Sequence, residues 1–185
     1  MELGCWRQEL LFLWLMSLSL AQLNTSDRAA FTAALGQLFE HSPWVAEETW
    51  AKRPFASAEA LHAGLCRTMQ SAPTERQLAL IRAHPDLAGR LAQQRKLTAE
   101  STREQASAGL LELSAAELAA FTALNDAYKA KFGFPFIICA RLNAKAVMVA
   151  ALQAGLTNPP ATEFATALAE IEKIARLRLQ DTLQS

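Results

Sequence analysis

The stretch Ser114-Ala-Ala-Glu-Leu-Ala-Ala-Phe-Thr-Ala-Leu-Asn-Asp-Ala-Tyr-Lys-Ala-Lys-Phe-Gly133 decides the fold class. Ser114 and Glu117 form the pattern of a capping box, in which two side chains satisfy backbone groups at the start of a helix. Gly133 is typical of the residue that follows the last turn of a helix. Between them the apolar residues recur at helical spacing: Leu118, Phe121 and Leu124. The stretch therefore predicts one long helix.

Helical patterns continue on both sides of this stretch. Predicted helix starts are Ser26, Ser42-Pro43, Ser57, Thr74 and Thr162, and two further helices are predicted over Asp86 to Gln94 and Asn143 to Leu156. The helix that follows Ser42-Pro43 should end before Pro54, and the last helix should run to about Leu183. Few β-branched runs interrupt the series, which argues against a β fold. We expect an all-α single domain, a helical bundle of about eight helices.

Composition excludes several classes of protein. The 185 residues are 51% hydrophobic and 19% charged, which is typical of a globular chain and not of a disordered one. Lys+Arg and Asp+Glu both number 18, so no basic excess indicates a nucleic-acid partner. The three cysteines, Cys5, Cys66 and Cys139, lack the spacing of a zinc site or a disulfide framework. A reducing compartment is expected.

The N-terminus permits three interpretations. Leu10 to Leu20 is apolar but short for a membrane span, so we expect no membrane partner. Met16 could be the true start, with upstream sequence before it, or residues 1–17 could be a helical or partner-binding extension. A signal peptide is less favoured because the first residues lack a positive excess: Glu2, Arg7 and Glu9. We assign 1–17 as an extension and 18–185 as the domain.

The motif His84-Pro-Asp-Leu-Ala-Gly-Arg90 interrupts the helical pattern. A residue before proline is pushed out of the helical region, so His84 should be extended at a helix break. Two interpretations stand: a buried histidine that satisfies a nearby backbone group, or a proton carrier held for chemistry. His41 and His62 are weaker candidates, and no spacing supports a metal site built from the three histidines.

The segment Ser101-Thr-Arg-Glu-Gln105 also has two interpretations. Ser101 and Glu104 could form a capping box at a helix start, which is a purely structural role. Alternatively the helix starts at Thr98, and Ser101, Glu104 and Gln105 then share one face, next to the small Ala108. Such a face of hydroxyl, carboxylate and amide groups suits a polar substrate.

Arg178 continues the apolar stripe of the last helix, because it follows Ile171 and Ala175 by seven and three positions. Arg176 lies instead on the polar face. A core-facing arginine must find an anion, since a buried unpaired charge is costly. The partner is either a protein carboxylate or an anionic group of a substrate.

The segment from Phe132 to Ala140 cannot be regular helix, because Gly133 and Pro135 break it. One interpretation is an aromatic core loop. The other is a binding wall, in which the freed backbone N–H groups bond a small planar ligand that the phenylalanines also contact.

Taken together and in this order, the motifs resemble the 2-oxo-4-hydroxy-4-carboxy-5-ureidoimidazoline (OHCU) decarboxylase family of urate catabolism. The resemblance covers roughly Leu18 to the C-terminus. The matching blocks are Phe39-Glu-His-Ser-Pro-Trp44, His84-Pro-Asp-Leu-Ala-Gly-Arg90, Ser101-Thr-Arg-Glu-Gln105, Phe132-Gly-Phe-Pro-Phe-Ile-Ile-Cys-Ala140 and Lys173-Ile-Ala-Arg-Leu-Arg178.

The resemblance implies an all-helical, commonly dimeric enzyme that decarboxylates OHCU to (S)-allantoin without a cofactor or metal. His84 corresponds to the catalytic histidine of the family. The positions implied to contact the substrate are Pro85, Ser101, Glu104, Gln105, Phe136, Ile137, Ile138, Cys139, Ala140 and Arg178. We expect a cytoplasmic bacterial-type enzyme whose partner is the small-molecule substrate, and a homodimer.

Three catalytic roles follow as hypotheses. His84 handles the proton of the substrate hydroxyl, Glu104 orients His84 or the ureido group, and Arg178 stabilises developing negative charge. One rival is a non-catalytic helical interaction module, in which Arg178 pairs with a protein carboxylate such as Glu104 and no cavity adjoins His84. The other rival is a ureide hydrolase on the same scaffold.

Overall fold

The computed structural model describes residues 18–88, 97–110 and 112–184. Across these ranges it contains nine α-helices, two short 3-10 turns (Trp50–Lys52 and Ala140–Leu142) and no strand, which confirms the all-α single domain. The helices are α1 (Leu20–Thr25), α2 (Arg28–Leu35), α3 (Trp44–Thr49), α4 (Ala58–Gln70), α5 (Thr74–Ala83), α6 (Ala99–Ser107), α7 (Ala115–Phe132), α8 (Lys145–Gly155) and α9 (Pro160–Gln184).

Helix α7 has the caps that its sequence predicts. The Ser114 hydroxyl accepts the N–H of Glu117, and the Glu117 carboxylate accepts the N–H of Ser114. Gly133 ends the helix at φ 75°, in the left-handed region that favours glycine. The helix is thus fixed at both ends, which matters because it carries two side chains that hold the loop after α5.

Three predicted caps are wrong. Ser26 ends α1, while the Asp27 side chain accepts the N–H of Ala30 and so caps α2. Helix α3 begins at Trp44, after Pro43, and Ser42 makes no side-chain cap. Helix α9 begins at Pro160 rather than after Thr162, because the fixed φ of proline suits the first helical position. Only α2 has a neighbouring side chain, Asp27, that caps its start in place of the predicted residue.

Helix α8 begins at Lys145 and ends at Gly155, slightly inside the predicted span from Asn143 to Leu156. The helix predicted from Asp86 does not start there, because Ala88 adopts a left-handed φ of 51°. The remainder of that prediction, residues 89–94, lies outside the described ranges, as do the interpretations of residues 1–17.

Helix α9 runs along the core and packs on α4 and α5. Its stripe of Ile171, Ala175 and Leu179 is almost fully buried, and Arg178 lies beside it with 5% exposure. In the described part of the chain, no helix is long and apolar enough to cross a membrane.

Replacing Ser114 by Ala should lower the free energy of unfolding by about 1 kcal/mol, because one capping bond of α7 is lost. Urea denaturation followed by circular dichroism measures this difference. The control is Ser107→Ala, whose hydroxyl only donates to the Glu104 carbonyl at the surface. The control should change stability by less than about 0.5 kcal/mol. Equal unfolding midpoints for Ser114→Ala and wild type would contradict the role of the capping box.

Candidate active site

His84 lies at the break that its sequence predicts. Helix α5 ends at Ala83, and His84 is extended, with φ −73° and ψ 140°. The proline at position 85 explains this backbone, since it disfavours helical geometry in the residue before it. The side chain is buried, with 8% of the residue exposed.

The hydrogen bond of His84 identifies the ring nitrogen that carries the hydrogen, and its pKa gives the charge of the ring. Its Nδ1 lies 3.0 Å from the carbonyl oxygen of Leu80, and a carbonyl can only accept, so Nδ1 carries the hydrogen. Burial lowers the pKa of His84 to about 4, although the Leu80 bond and the charge of Glu40 oppose that effect. The ring is therefore neutral near pH 7, and its buried Nε2 is an unprotonated acceptor with no partner among the described residues.

Gln105 fixes the loop that follows His84. Its Oε1 accepts the N–H of Ala88 at 3.0 Å, and its Nε2 donates to the carbonyl of Asp86 at 3.3 Å. Both ends of the buried amide are thus bonded to loop backbone. The structure gives Gln105 a positioning role beside the pocket, in addition to the substrate contact that the family resemblance implies.

Helix α7 holds the same loop from the other side. Asn125 donates to the carbonyl of Leu87 at 2.8 Å, and Lys129 pairs with the carboxylate of Asp86 at 2.6 Å. The loop therefore meets side chains from α6 and from α7, which keeps His84 in one orientation.

Arg178 is held between two carboxylates. Its Nε and Nη2 donate to the two oxygens of Glu104 at 2.7 and 2.8 Å, a bidentate pair. Its Nη1 donates to Glu40 Oε2 at 3.1 Å and to the carbonyl of Gln37 at 3.3 Å. Its burial is thus compensated by protein acceptors, which is the first of the two alternatives that its sequence position allowed.

Glu40 is the member of this group that the sequence did not single out. It is 3% exposed and lies in the loop between α2 and α3. Its Oε1 accepts from the Thr98 hydroxyl at 2.8 Å, and its Oε2 from the Ser101 hydroxyl at 3.1 Å. Burial alone would raise the pKa of Glu40, but Arg178 and Thr98 outweigh it and lower the pKa. The available signal was a carboxylate directly after the apolar pair Leu38-Phe39.

Helix α6 settles the two interpretations of the 101–105 segment. Thr98 is its N-cap and accepts the N–H of Ser101, so the alternative capping box of Ser101 and Glu104 is wrong. Ser101, Glu104 and Gln105 consequently share one face of the helix. Glu104 reaches Arg178 and makes no bond to His84, whose orientation comes from Leu80 instead.

A small pocket of about 40 Å³ brings most of the predicted residues together. Its lining residues are His84, Pro85, Leu87, Ser101, Glu104, Gln105, Phe136, Ile137, Ile138, Ala140, Ile174 and Arg178. Cys139 is absent from the lining: it is 1% exposed, and its N–H donates to the Glu170 carboxylate at 2.8 Å. The pocket joins a neutral base on one side to a paired arginine on the other.

A larger cavity of about 370 Å³ adjoins the pocket. Glu104 and Arg178 line both spaces, so their ion pair forms a shared wall. Across the cavity, Arg141 pairs with Asp181 at 2.5 Å. The interaction-module rival expected an Arg178–Glu104 pair and no cavity at His84; the pair is present, but so is the pocket.

The other histidines have structural surroundings. His62 Nε2 lies 2.9 Å from the carbonyl oxygen of Glu172, and His41 is exposed. Within the described ranges, no three His, Cys, Asp or Glu side chains are grouped so as to hold a metal ion.

The stability of the protein should fall as the pH drops from about 6.5 to about 4. His84 titrates near 6.5 when unfolded and near 4 when folded, so the unfolded chain binds more protons in this window. Once the pH is below both pKa values, His84 has lowered the free energy of unfolding by about 3 kcal/mol. Urea unfolding at pH 7 and pH 4.5 measures it. The fall should shrink in His84→Asn and persist in His62→Asn; an unchanged fall in His84→Asn would show that His84 is not the buried neutral group.

Comparisons with known proteins agree on one family. The family model described as OHCU decarboxylase matches residues 24–180. A protein named 2-oxo-4-hydroxy-4-carboxy-5-ureidoimidazoline decarboxylase from Halalkalicoccus jeotgali is 42% identical over 164 residues, which are 89% of this chain and 91% of that protein. A relative of the same name from Amia calva is 42% identical over 167 residues, 90% of this chain and 95% of its own length.

Solved structures show the same likeness. The crystal structure of an (S)-allantoin synthase superposes with a TM-score of 0.70 at 30% identity, over 90% of this chain and 54% of that one. The fold also matches a crystal structure of OHCU decarboxylase in the presence of (S)-allantoin, with a TM-score of 0.65 at 23% identity, over 86% of this chain and 100% of that one. Because the family model and the relatives cover most of its length, this chain belongs to the OHCU decarboxylase family.

Proposed function

We propose that this chain is a decarboxylase that converts OHCU to (S)-allantoin in urate degradation, and that it works without a cofactor. The observation that carries the proposal is that the unprotonated Nε2 of His84, which has no partner among the described residues, belongs to a residue lining the same pocket as Arg178. The alternative is a ureide hydrolase on this scaffold, whose product would not be (S)-allantoin formed from OHCU.

The substrate itself can accept the electrons of the reaction. Its hydroxyl and carboxylate share one ring carbon, and the ureido group is on the neighbouring carbon. When the bond to the carboxylate breaks, CO₂ leaves, the electron pair enters the conjugated ring system and the ring imine nitrogen takes up a proton, giving an enol. The enol oxygen then loses its proton to become a carbonyl, and the ureido-bearing carbon gains a proton on one face. The protein supplies orientation, charge stabilisation and proton placement.

His84 is suited to accept the proton of the substrate hydroxyl. Its Nδ1–H is fixed on Leu80, so Nε2 is the only ring atom that can accept. A neutral imidazole in this pocket accepts the hydroxyl proton as the carbonyl forms, which is general-base catalysis. The negative charge of Glu40 favours the imidazolium that results.

Arg178 is suited to bind the negatively charged carboxylate of the substrate. The substrate carboxylate is an anion that competes with Glu104 for the bidentate edge of the guanidinium. The pocket of about 40 Å³ has room for only a few waters, so the substrate must displace part of this wall. Glu104 borders both the pocket and the larger cavity, and once displaced it can accept from the ureido N–H groups.

Other contacts complete the proposed binding site. Phe136, Ile137, Ile138 and Ala140 form an apolar wall for the planar ring, and Pro85 also lines the pocket. Ser101 and Gln105 contribute buried polar side chains to the same lining. Cys139 acts through the backbone of this wall, which its N–H anchors on Glu170.

Three broader properties are part of the proposal. The enzymatic domain comprises residues 18–185, and residues 1–17 are an extension. An intact mass of the protein would determine whether it starts at Met1 or at Met16. A reducing, cytoplasmic location is supported by Cys66 and Cys139, which are both free thiols. The homodimer is supported by the family resemblance.

Replacing His84 by Asn should lower kcat/KM for OHCU by about 100- to 10,000-fold, because a positioned acid/base is lost. The assay uses freshly generated OHCU and follows the optical activity of the allantoin formed. His62→Asn is the matched control and should keep turnover, because His62 bonds Glu172 away from the pocket. Racemic product at the spontaneous rate with wild-type enzyme would refute the decarboxylase, and near-native turnover in His84→Asn would refute the role of the histidine.

Native mass spectrometry should give a mass of two chains, each 20.2 kDa for the full sequence. A single-chain mass at micromolar concentration would contradict the proposed homodimer and leave the chemistry of the pocket unaffected.

A further inference from the structure

We propose that Glu40 is a positioning residue for the decarboxylation, one that keeps the Arg178 guanidinium in the pocket wall when the substrate displaces Glu104. The inference rests on the proposed function and adds to it a residue outside the pocket. Glu40 lines neither the pocket nor the larger cavity, so it acts through Arg178 and does not touch the substrate.

The two carboxylates of Arg178 differ in access. The Glu104 side chain is 13% exposed and borders both spaces, whereas that of Glu40 is 2% exposed and lies behind the guanidinium. An anion that enters the pocket meets the edge bonded by Glu104. Glu104 is therefore the exchangeable partner, and Glu40 is the permanent one.

Glu40 is itself held rigidly enough to serve as an anchor. Thr98 occupies one oxygen, and Ser101 and Arg178 share the other. The next residue, His41, has a φ of 47°, a left-handed backbone uncommon outside glycine. Such a conformation persists where the surroundings determine the turn, as they do in this loop.

The charges also indicate that Glu40 is the permanent partner of Arg178. Glu40, Glu104 and Arg178 together carry one net negative charge, so the arginine keeps a buried counter-ion even after Glu104 moves away. Without Glu40, displacement of Glu104 would leave the long, flexible Arg178 side chain with two further partners among the described residues, the Gln37 carbonyl and the Ser101 hydroxyl. The guanidinium fork would then lose its fixed orientation toward the substrate.

The test compares Glu40→Gln with Glu163→Gln in the full-length protein. Glu163 is a second buried glutamate, 2% exposed, but it bonds Tyr128 and Asn158 far from Arg178. Glu40→Gln should lower kcat/KM for OHCU by up to about 100-fold, since small misplacements of a binding group cost that much. Glu163→Gln should stay within about two-fold of wild type per folded molecule.

A double-mutant cycle separates positioning from simple structural support. In an Arg178→Lys background, Glu40→Gln should lower kcat/KM by a much smaller factor than in the wild-type background, because the group that it positions is already gone and only its charge effect on His84 remains. If Glu40→Gln does not fold, Glu40→Asp in the same cycle replaces it. Wild-type turnover in the Glu40 variant, or falls that multiply in the double variant, would overturn the inference. A wild-type protein without turnover would instead refute the proposed function.

Discussion

The structure of the site depends on one buried arginine. Arg178 comes from α9, Glu104 from α6 and Glu40 from the loop between α2 and α3, so a single guanidinium connects three parts of the chain. Removing water from these charges is costly, and removal of the arginine would leave Glu40 as an uncompensated buried charge, which destabilises by about 3–5 kcal/mol. Hydrophobic residues could fill the same volume without that risk. The proposed function gives a reason for charge at this position, because the pocket wall would then meet the substrate carboxylate.

His84 and Arg178 differ in charge, although both are buried. Burial keeps the imidazole neutral, with a pKa of about 4, while Glu104 and Glu40 keep the arginine charged. Glu40 acts on both groups, since its charge favours the cation in each case. The small pocket between them therefore has a ready acceptor for a proton on one side and a fixed positive charge on the other. This pairing suits the proposed decarboxylation through an enol, in which His84 would receive the hydroxyl proton and Arg178 would hold the anion.

The sequence predicts the parts of this site that follow from local rules. Proline after His84 predicts the extended backbone, and helical periodicity predicts that Arg178 is buried, because both depend on near neighbours. The partners of Arg178 could not be predicted in the same way, since Glu40 is 138 positions away and no spacing connects the two. The wrong caps at Ser26 and Thr162 have a local cause, because Asp27 and Pro160, each within two residues, begin the helix instead. At Ser42 no side chain caps the helix at all. Gln105 shows a further limit, because the resemblance implies a substrate contact and the structure adds two backbone bonds to the loop after His84.

The central claim is that chemistry takes place between His84 and Arg178, in the smaller of the two adjoining spaces. A crystal structure of this protein soaked with (S)-allantoin tests it most directly. We expect the ligand in the pocket, with one of its polar atoms within about 3.2 Å of His84 Nε2 and with Glu104 moved away from at least one nitrogen of Arg178. The Arg178–Glu40 contact should remain. A ligand confined to the larger cavity, with the Glu104–Arg178 pair intact and no contact to His84, would contradict the account.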